Sequence, residues 1–226
     1  MMLIELFSGE GNISKSVIAK GGKAFRVDWS HIVEADLHAD VAKLTVKDVV
    51  DLCKGMPDFI WASPQCTTYS LATHRHRTIK EGLVPKTEMA KRDDEVNIAL
   101  WKLIDELLLA GVKYYFVENP KGRMRHMHFV QGRPRYTVTY CSYGNKGNAN
   151  GYEEVFVKKT TDIWTNHPNP RFLPQCKGAT QWHKHGDWNY AHKRNYLSRG
   201  SMPQMLTDHI ADLVMPGPCH GIWGLA

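Results

Sequence analysis

The stretch Leu3-Ile4-Glu5-Leu6-Phe7-Ser8-Gly9-Glu10-Gly11-Asn12 decides the fold. Its first five residues read as a core strand, and the chain then passes at once into a turn of small and polar residues. Glycines in a strand-to-helix turn let backbone approach a ligand closely. Further apolar strands are expected at Lys23–Val27, Phe59–Ala62 and Tyr114–Val117, each ending at Gly, Pro or a polar cluster. Between the last two, Val96, Ala99, Leu100, Leu103, Ile104, Leu107 and Leu108 recur at helical spacing, which predicts a helix over about Asp93–Leu109 with Gly111 just beyond its end. Strands alternating with helices indicate an α/β fold with a parallel sheet.

The second half reads differently. Thr137–Tyr143 alternates like a strand, Asn145–Gly151 is rich in turn formers, and Glu154–Val157 and Asp162–Thr165 are expected as short strands. From His167 to Ser198 the chain is rich in Pro, His and Trp without a period and reads as an irregular lobe. A last helix is expected over Met202–Met215, capped by Ser201, with Met205, Leu206, His209, Ile210, Leu213 and Val214 on its buried face.

The 226 residues, 42% of them hydrophobic, suit one domain with a small appendage. The five cysteines are scattered and no Cys-x-x-Cys pair occurs, which argues against a zinc ribbon or a thioredoxin-like site. With no apolar run of 18 residues and no secretory leader, the expected setting is cytoplasmic and reducing, with free thiols and no membrane contact. The net charge of +6 and pI near 9.0 favour phosphate-bearing partners. Two basic clusters carry that charge. One holds His74, Arg75, His76, Arg77, Lys80, Lys86, Lys91 and Arg92. The other holds Lys177, Lys184, Lys193, Arg194 and Arg199 among Trp182, Trp188, Tyr190 and Tyr196. Basic and aromatic side chains together suit phosphates and stacked bases, although solvated loops have the same composition.

Three sites carry candidate chemistry. After the glycine turn, the second strand ends at Asp28-Trp29, where a carboxylate can take ribose hydroxyls and an aromatic can stack on adenine; Asp40-Val41 adds a third acid. A nucleotide-free turn with two surface acids has the same pattern. In Phe59-Ile60-Trp61-Ala62-Ser63-Pro64-Gln65-Cys66-Thr67-Thr68-Tyr69-Ser70, an apolar strand delivers a cysteine to the carboxyl end of the sheet, where open α/β folds hold their ligands. A lone cysteine is more often a small buried hydrophobe, but this one follows Pro-Gln in a polar loop. A helix N-terminus or a neighbouring cation there would lower its pKa. Phe116-Val117-Glu118-Asn119-Pro120 again runs a strand into a polar end, readable either as an Asx-Pro turn or as a buried carboxyl group that grips a substrate.

Taken in order, these motifs resemble the cytosine-C5 DNA methyltransferases. Leu6-Phe7-Ser8-Gly9-Glu10-Gly11 is similar to the family's S-adenosylmethionine-binding first motif. Asp28-Trp29 falls at its ribose acid and adenine-packing aromatic, and Asp40-Val41 looks like its Asp-Ile pair. Ser63-Pro64-Gln65-Cys66 resembles the Pro-Pro-Cys loop, Glu118-Asn119-Pro120 the Glu-Asn-Val motif, and Gln131-Gly132-Arg133-Pro134-Arg135 the Gln-x-Arg-x-Arg motif. Gln65 replaces the second proline, Thr67 a glutamine and Pro120 a valine. With Lys159-Thr160-Thr161-Asp162-Ile163-Trp164-Thr165-Asn166, these variants resemble the short forms encoded by bacteriophages.

The resemblance implies a Rossmann-like class I methyltransferase sheet with helices on both faces and a small, reduced irregular or β lobe. Residues 1–143 form the catalytic domain, 144–200 a reduced target-recognition lobe, and 201–226 a helix packing back. S-adenosylmethionine is the implied cofactor, held by Phe7, Ser8, Gly9, Gly11, Asp28, Trp29, Asp40, Val41 and Pro64. The implied catalytic set is Cys66, Glu118, Asn119 and Arg135, acting on a cytosine flipped out of DNA, with the stretch after Ser70 closing over the duplex. So small a lobe leaves room for a separate specificity partner. Two alternatives stay open: a C5-modifying enzyme that takes a free pyrimidine nucleotide or transfers another one-carbon unit, and an inactive DNA-binding relative. No metal is expected, because Cys176, His183 and His185, even with Cys141, fit no standard zinc spacing.

Overall fold

A computed structural model describes residues 1–72, 74–79, 82–144, 146–149, 152–156, 159–178 and 202–215. The second basic cluster beyond Lys177, with its aromatics, and also His183, His185, Ser201 and Cys219, lie outside the described residues, as does most of the expected irregular lobe.

The expected strand at the start of the chain is β1 (Met2–Leu6). It is followed by α1 (Asn12–Ala19), β2 (Lys23–Asp28), β3 (Leu37–His38), α2 (Val46–Cys53), β4 (Phe59–Ala62), α3 (Glu88–Leu109), β5 (Tyr114–Pro120) and β6 (Arg135–Thr139). A two-stranded ribbon, β7 (Lys146–Ala149) and β8 (Tyr152–Phe156), precedes β9 (Thr160–Thr165), and α4 (Gln204–Val214) comes last. The main sheet has seven strands in the order β3-β2-β1-β4-β5-β9-β6. β1 to β5 run parallel, and β9 is antiparallel to both of its neighbours. This is an α/β, Rossmann-like arrangement of a mostly parallel sheet with helices on both faces.

Alternating side chains divide the core between the two faces of the sheet. Ile4, Leu6, Ile60, Ala62, Tyr115 and Val117 pack under α2 and α3 with Val49, Leu100, Ile104 and Leu107. Leu3, Phe59, Trp61 and Phe116 pack on the opposite face under α1 and α4, with Ile13, Val17, Leu206 and Ile210. Strands buried on both faces explain why β4 reads as an unbroken apolar run and β1 as one broken by Glu5, itself buried. α4 is tied to α1 by the Ser16 hydroxyl, which donates to Thr207 Oγ1 at 2.8 Å, and by the Lys20–Asp212 ion pair.

Several expectations shift. α3 starts at Glu88, five residues before the expected start at Asp93, because Thr87 caps it by accepting a bond from the Ala90 amide. The expected strand over Thr137–Tyr143 stops at Thr139, and residues 140–143 coil into a tight turn closed by Gly144 at φ 67°. The turn-rich segment after Gly144 contains a strand, β7. Residues 160–165, read from sequence as part of a separate lobe, are a strand of the main sheet instead. The last helix begins at Gln204 with Pro203 at the cap position, two residues later than expected; the expected cap, Ser201, lies outside the described residues.

Candidate active site

The strand register sets the level of the site. Leu6 pairs with Ala62, and Ala62 with Val117, so the loops after β1, β4 and β5 leave the sheet side by side. The turn after β1 is tightly wound: Phe7, Gly9 and Gly11 all take positive φ, at 55°, 50° and 67°. Phe7 does so despite its side chain, a cost borne where the neighbouring structure holds it. Part of that hold is Asp28, whose carboxylate accepts the Gly9 amide at 3.0 Å and the Ser30 amide at 2.9 Å. Asp28 is buried and shapes the turn through both oxygens. The Ser8 hydroxyl is buried in the same turn without a partner among the described residues.

Beside this turn lies a pocket of about 520 Å³, lined by Phe7, Trp29, Asp40, Val41, Gln65, Thr67, Met89, Arg92, Asp93, Val96 and Asn97. Four of the expected cofactor residues, Phe7, Trp29, Asp40 and Val41, therefore share one cavity. Trp29 is 61% exposed, which leaves its indole face open to a planar guest. Asp40 is already engaged by the Arg92 guanidinium and by the Ala42 amide. Pro64 is buried outside the pocket lining, and its carbonyl accepts a hydrogen bond from Asn119 Nδ2 at 3.0 Å. That bond ties the end of β5 to the loop after β4, so Asn119 and Pro64 join the two loops.

Cys66 sits in that loop, at the surface, ahead of a single tight turn over Thr67–Tyr69. Burial pushes its thiol up from the ordinary value, Lys159 pulls it down, and Glu118 and Asp93 push it up. The residue is exposed, but its thiol is desolvated by the protein around it, which decides how readily it ionises. Glu118, at the end of β5, is 6% exposed. Its Oε1 accepts bonds from Tyr140 Oη at 3.1 Å and from the Thr161 hydroxyl, and Lys159 Nζ stands 4.0 Å away. Tyr140 is held well above the ordinary phenol value, by burial first and then by the Glu118 carboxylate, so it stays neutral and donates. Lys159 also lies over the Tyr140 ring, 4.7 Å from its centroid.

Arg135 stands apart. It is exposed at the start of β6, and its guanidinium donates to the Arg125 carbonyl at 3.4 Å. Arg133 pairs with Asp105 at 2.8 Å and lies over Trp101. Arg125 holds the buried Asp162 at 2.9 Å. The two arginines of Gln-x-Arg-x-Arg thus make no contact with the Cys66 and Glu118 cluster among the described residues. Lys159, Tyr140 and Thr161 do, and nothing in their spacing marked them. They arrive through the placement of β9, which is non-local.

The stretch after Ser70 is less open than its composition suggests. Arg77 is fully buried, paired with Asp94 at 2.6 Å, bonded to the Thr68 carbonyl at 3.0 Å and set 4.3 Å over the Tyr69 ring. His76 is buried against Thr87. Arg123 donates to the Ser70 carbonyl and meets His74 Nδ1 at 2.8 Å. A Cβ on Gly122 would sit 2.6 Å from the Tyr69 carbonyl oxygen, so backbone packs on backbone there. Arg75 and Lys86 remain exposed, as does Lys121 just past β5.

No family model and no curated protein matches the chain. Among solved structures, 55 chains match. One is a crystal structure provisionally described as a DNA modification methyltransferase encoded within a prophage, from E. coli. It aligns with a TM-score of 0.47 and 16% identity, over 73% of this chain and 46% of that one. The present chain thus spans less than half the length of that protein. A likeness of this degree says nothing of substrate or of residue roles.

Proposed function

We propose that this chain is a DNA methyltransferase that modifies C5 of cytosine, with Cys66 as the nucleophile and S-adenosylmethionine as methyl donor. One observation carries the reading. A surface cysteine in the loop after β4 and a buried, hydrogen-bonded carboxyl group near the end of the adjacent strand β5 lie close enough to act on each other electrostatically, and Gln65 and Thr67, on either side of that cysteine, line the cavity beside the glycine turn.

The cavity suits the cofactor by chemistry. Trp29 would offer a face to adenine, Asp40 and Val41 line the same cavity and could take its amino edge, and the Ser8 hydroxyl, without a partner among the described residues, accompanies the glycine turn. Bound there, S-adenosylmethionine supplies an electrophilic methyl group to C5 of the substrate. The remaining work belongs to the chain's own residues. The Cys66 thiolate adds to C6, which makes C5 nucleophilic. Glu118, fixed by Tyr140 and Thr161, holds the N3 and N4 edge of the base. Asn119 keeps the two loops in register through Pro64. Loss of the C5 proton to solvent water then expels the Cys66 thiolate and restores the ring. The net charge of +6 and the exposed Arg75, Lys86 and Lys121 in loops that leave β4 and β5 favour a polymeric phosphate substrate over a free nucleotide.

The test is covalent trapping. Duplex DNA carrying 5-fluorocytosine, incubated with the protein and S-adenosylmethionine, should give an adduct stable to denaturing gels, mapped by mass spectrometry to Cys66. Cys66→Ala should give none. Methyl transfer to dCMP without transfer to DNA would move the reading to a nucleotide enzyme; no adduct and no transfer on any cytosine substrate would end it.

A further inference from the structure

We propose that Lys159 is the charge-stabilising residue of this reaction centre: its ammonium favours the Cys66 thiolate and then balances the negative charge that thiolate addition places on the pyrimidine. The inference rests on the cytosine-C5 reading for its second half only. The sequence motif assigns a cation to this neighbourhood in Arg135, but that side chain is exposed and turned to the Arg125 carbonyl. Arg77, Arg125 and Arg133 are paired with Asp94, Asp162 and Asp105, away from Glu118. Lys159 is the cation whose ammonium stands beside the Glu118 carboxyl group among the described residues.

Its backbone is well fixed. The Lys159 carbonyl accepts the Tyr140 amide at 2.8 Å, and the next carbonyl, that of Thr160, accepts the Lys121 amide at 3.0 Å. The residue is thereby clamped between the turn after β6 and the exit of β5. Its ammonium stands 4.0 Å from Glu118 Oε1 and 4.7 Å from the centre of the Tyr140 ring. Among the described residues, the charged and titratable groups that act on the Cys66 thiol include Lys159, Glu118 and Asp93, and Cys66 in turn acts on Tyr140. Glu118 and Asp93 both disfavour a thiolate, and Lys159 is the group among these that favours it. A half-buried ammonium in such a recess acts through a lower dielectric than water and counts for more than a surface charge.

The chemistry needs such a charge. When sulfur bonds to C6, the pair of the C5–C6 double bond moves through C4 onto N3, conjugated with the C2 carbonyl. Negative charge therefore appears on the N3 and O2 side of the ring, beside a carboxyl group. Lys159 offsets it without giving up a proton, and the pair returns when C5 forms its new bond. A lysine suits this as a compact point charge on a flexible stem.

The experiment measures Cys66 alkylation by iodoacetamide against pH, read by mass spectrometry on the Cys66 peptide, in the wild type, Lys159→Met and Lys159→Arg. Folding is checked in each by circular dichroism. We expect Lys159→Met to move the profile up by about one pH unit, so that reactivity at neutral pH falls several-fold, and Lys159→Arg to restore most of it. In parallel, Lys159→Met should form the 5-fluorocytosine adduct at least ~10-fold more slowly than Lys159→Arg. A profile that Lys159→Met leaves unmoved, in a folded protein that still traps DNA, overturns the role of Lys159 and leaves the cytosine-C5 reading standing. A shifted profile in a protein that never traps DNA supports the effect on the thiol and overturns the part played on the pyrimidine.

Discussion

At the scale of single residues, which side chains gather around the glycine turn was more legible than which surround Cys66 and Glu118. Phe7, Trp29, Asp40 and Val41 line one pocket because short loops after neighbouring parallel strands must converge, and sequence order reports that directly. Arg135 and the missed Lys159 are the opposite case, since their neighbours were decided by a strand far along the chain. Trp29→Ala should weaken S-adenosylmethionine binding about 5- to 20-fold by calorimetry with little change in melting temperature, because the indole is exposed and packs on nothing essential. Arg77→Ala should instead cost stability, about 3–5 kcal/mol in denaturant titrations. It strands the Asp94 carboxylate and removes the cation over Tyr69 while leaving the pocket lining in place. From composition, Arg77 looked like one more surface charge for DNA. Nothing in the local sequence distinguishes it from Arg75, which is exposed.

At the scale of elements, the joint between β1 and α1 carries a titratable group. Glu5 lies in β1 and is buried against the first turn of α1, where it accepts bonds from the Ser14 amide, at 2.9 Å, and the Ser14 hydroxyl. Burial raises its pKa from 4.5 to about 7 despite those bonds. The folded state therefore holds the proton more tightly than the unfolded chain. The stability due to that proton is complete below pH 4.5 and is lost as the pH rises towards 7. Glu5→Gln should flatten the stability profile across that window, measured by denaturant midpoints at half-unit steps. The junction between the loops after β4 and β5 is set by volume alone. Gly122→Ala must push a methyl group against the Tyr69 carbonyl, and should cost about 1–3 kcal/mol and lower the rate of Cys66 trapping together with it. Periodicity found α3 from its apolar face but missed its first turn, where the capping residue and charged side chains carry no period.

At the scale of the whole molecule, the α/β class followed from the alternation of apolar strands with amphipathic helices, and the layers agree with it: α2 and α3 on one face, α1 and α4 on the other. What pattern could not give was the place of β9. Short strands in a second half rich in turns look like a separate lobe, and only pairing reveals that one of them enters the main sheet. The basic character also acts at this scale. If DNA is the substrate, log K for duplex should fall linearly with log salt, and the Arg75→Ala, Lys86→Ala double variant should flatten that slope by about two.

The antiparallel ribbon at the far edge also fixes a schedule. Residues 135–139 have no strand beside them until residues 160–165 slide in between them and β5. During synthesis, the loop that holds Cys66 emerges early, whereas the hydroxyl and the ammonium that meet Glu118 emerge only with Lys159 and Thr161. A nascent chain halted before that point can pair its first five strands while the Glu118 carboxyl group still lacks those two neighbours. On the proposed mechanism, competence would then come late, with the closing piece of a long-range assembly.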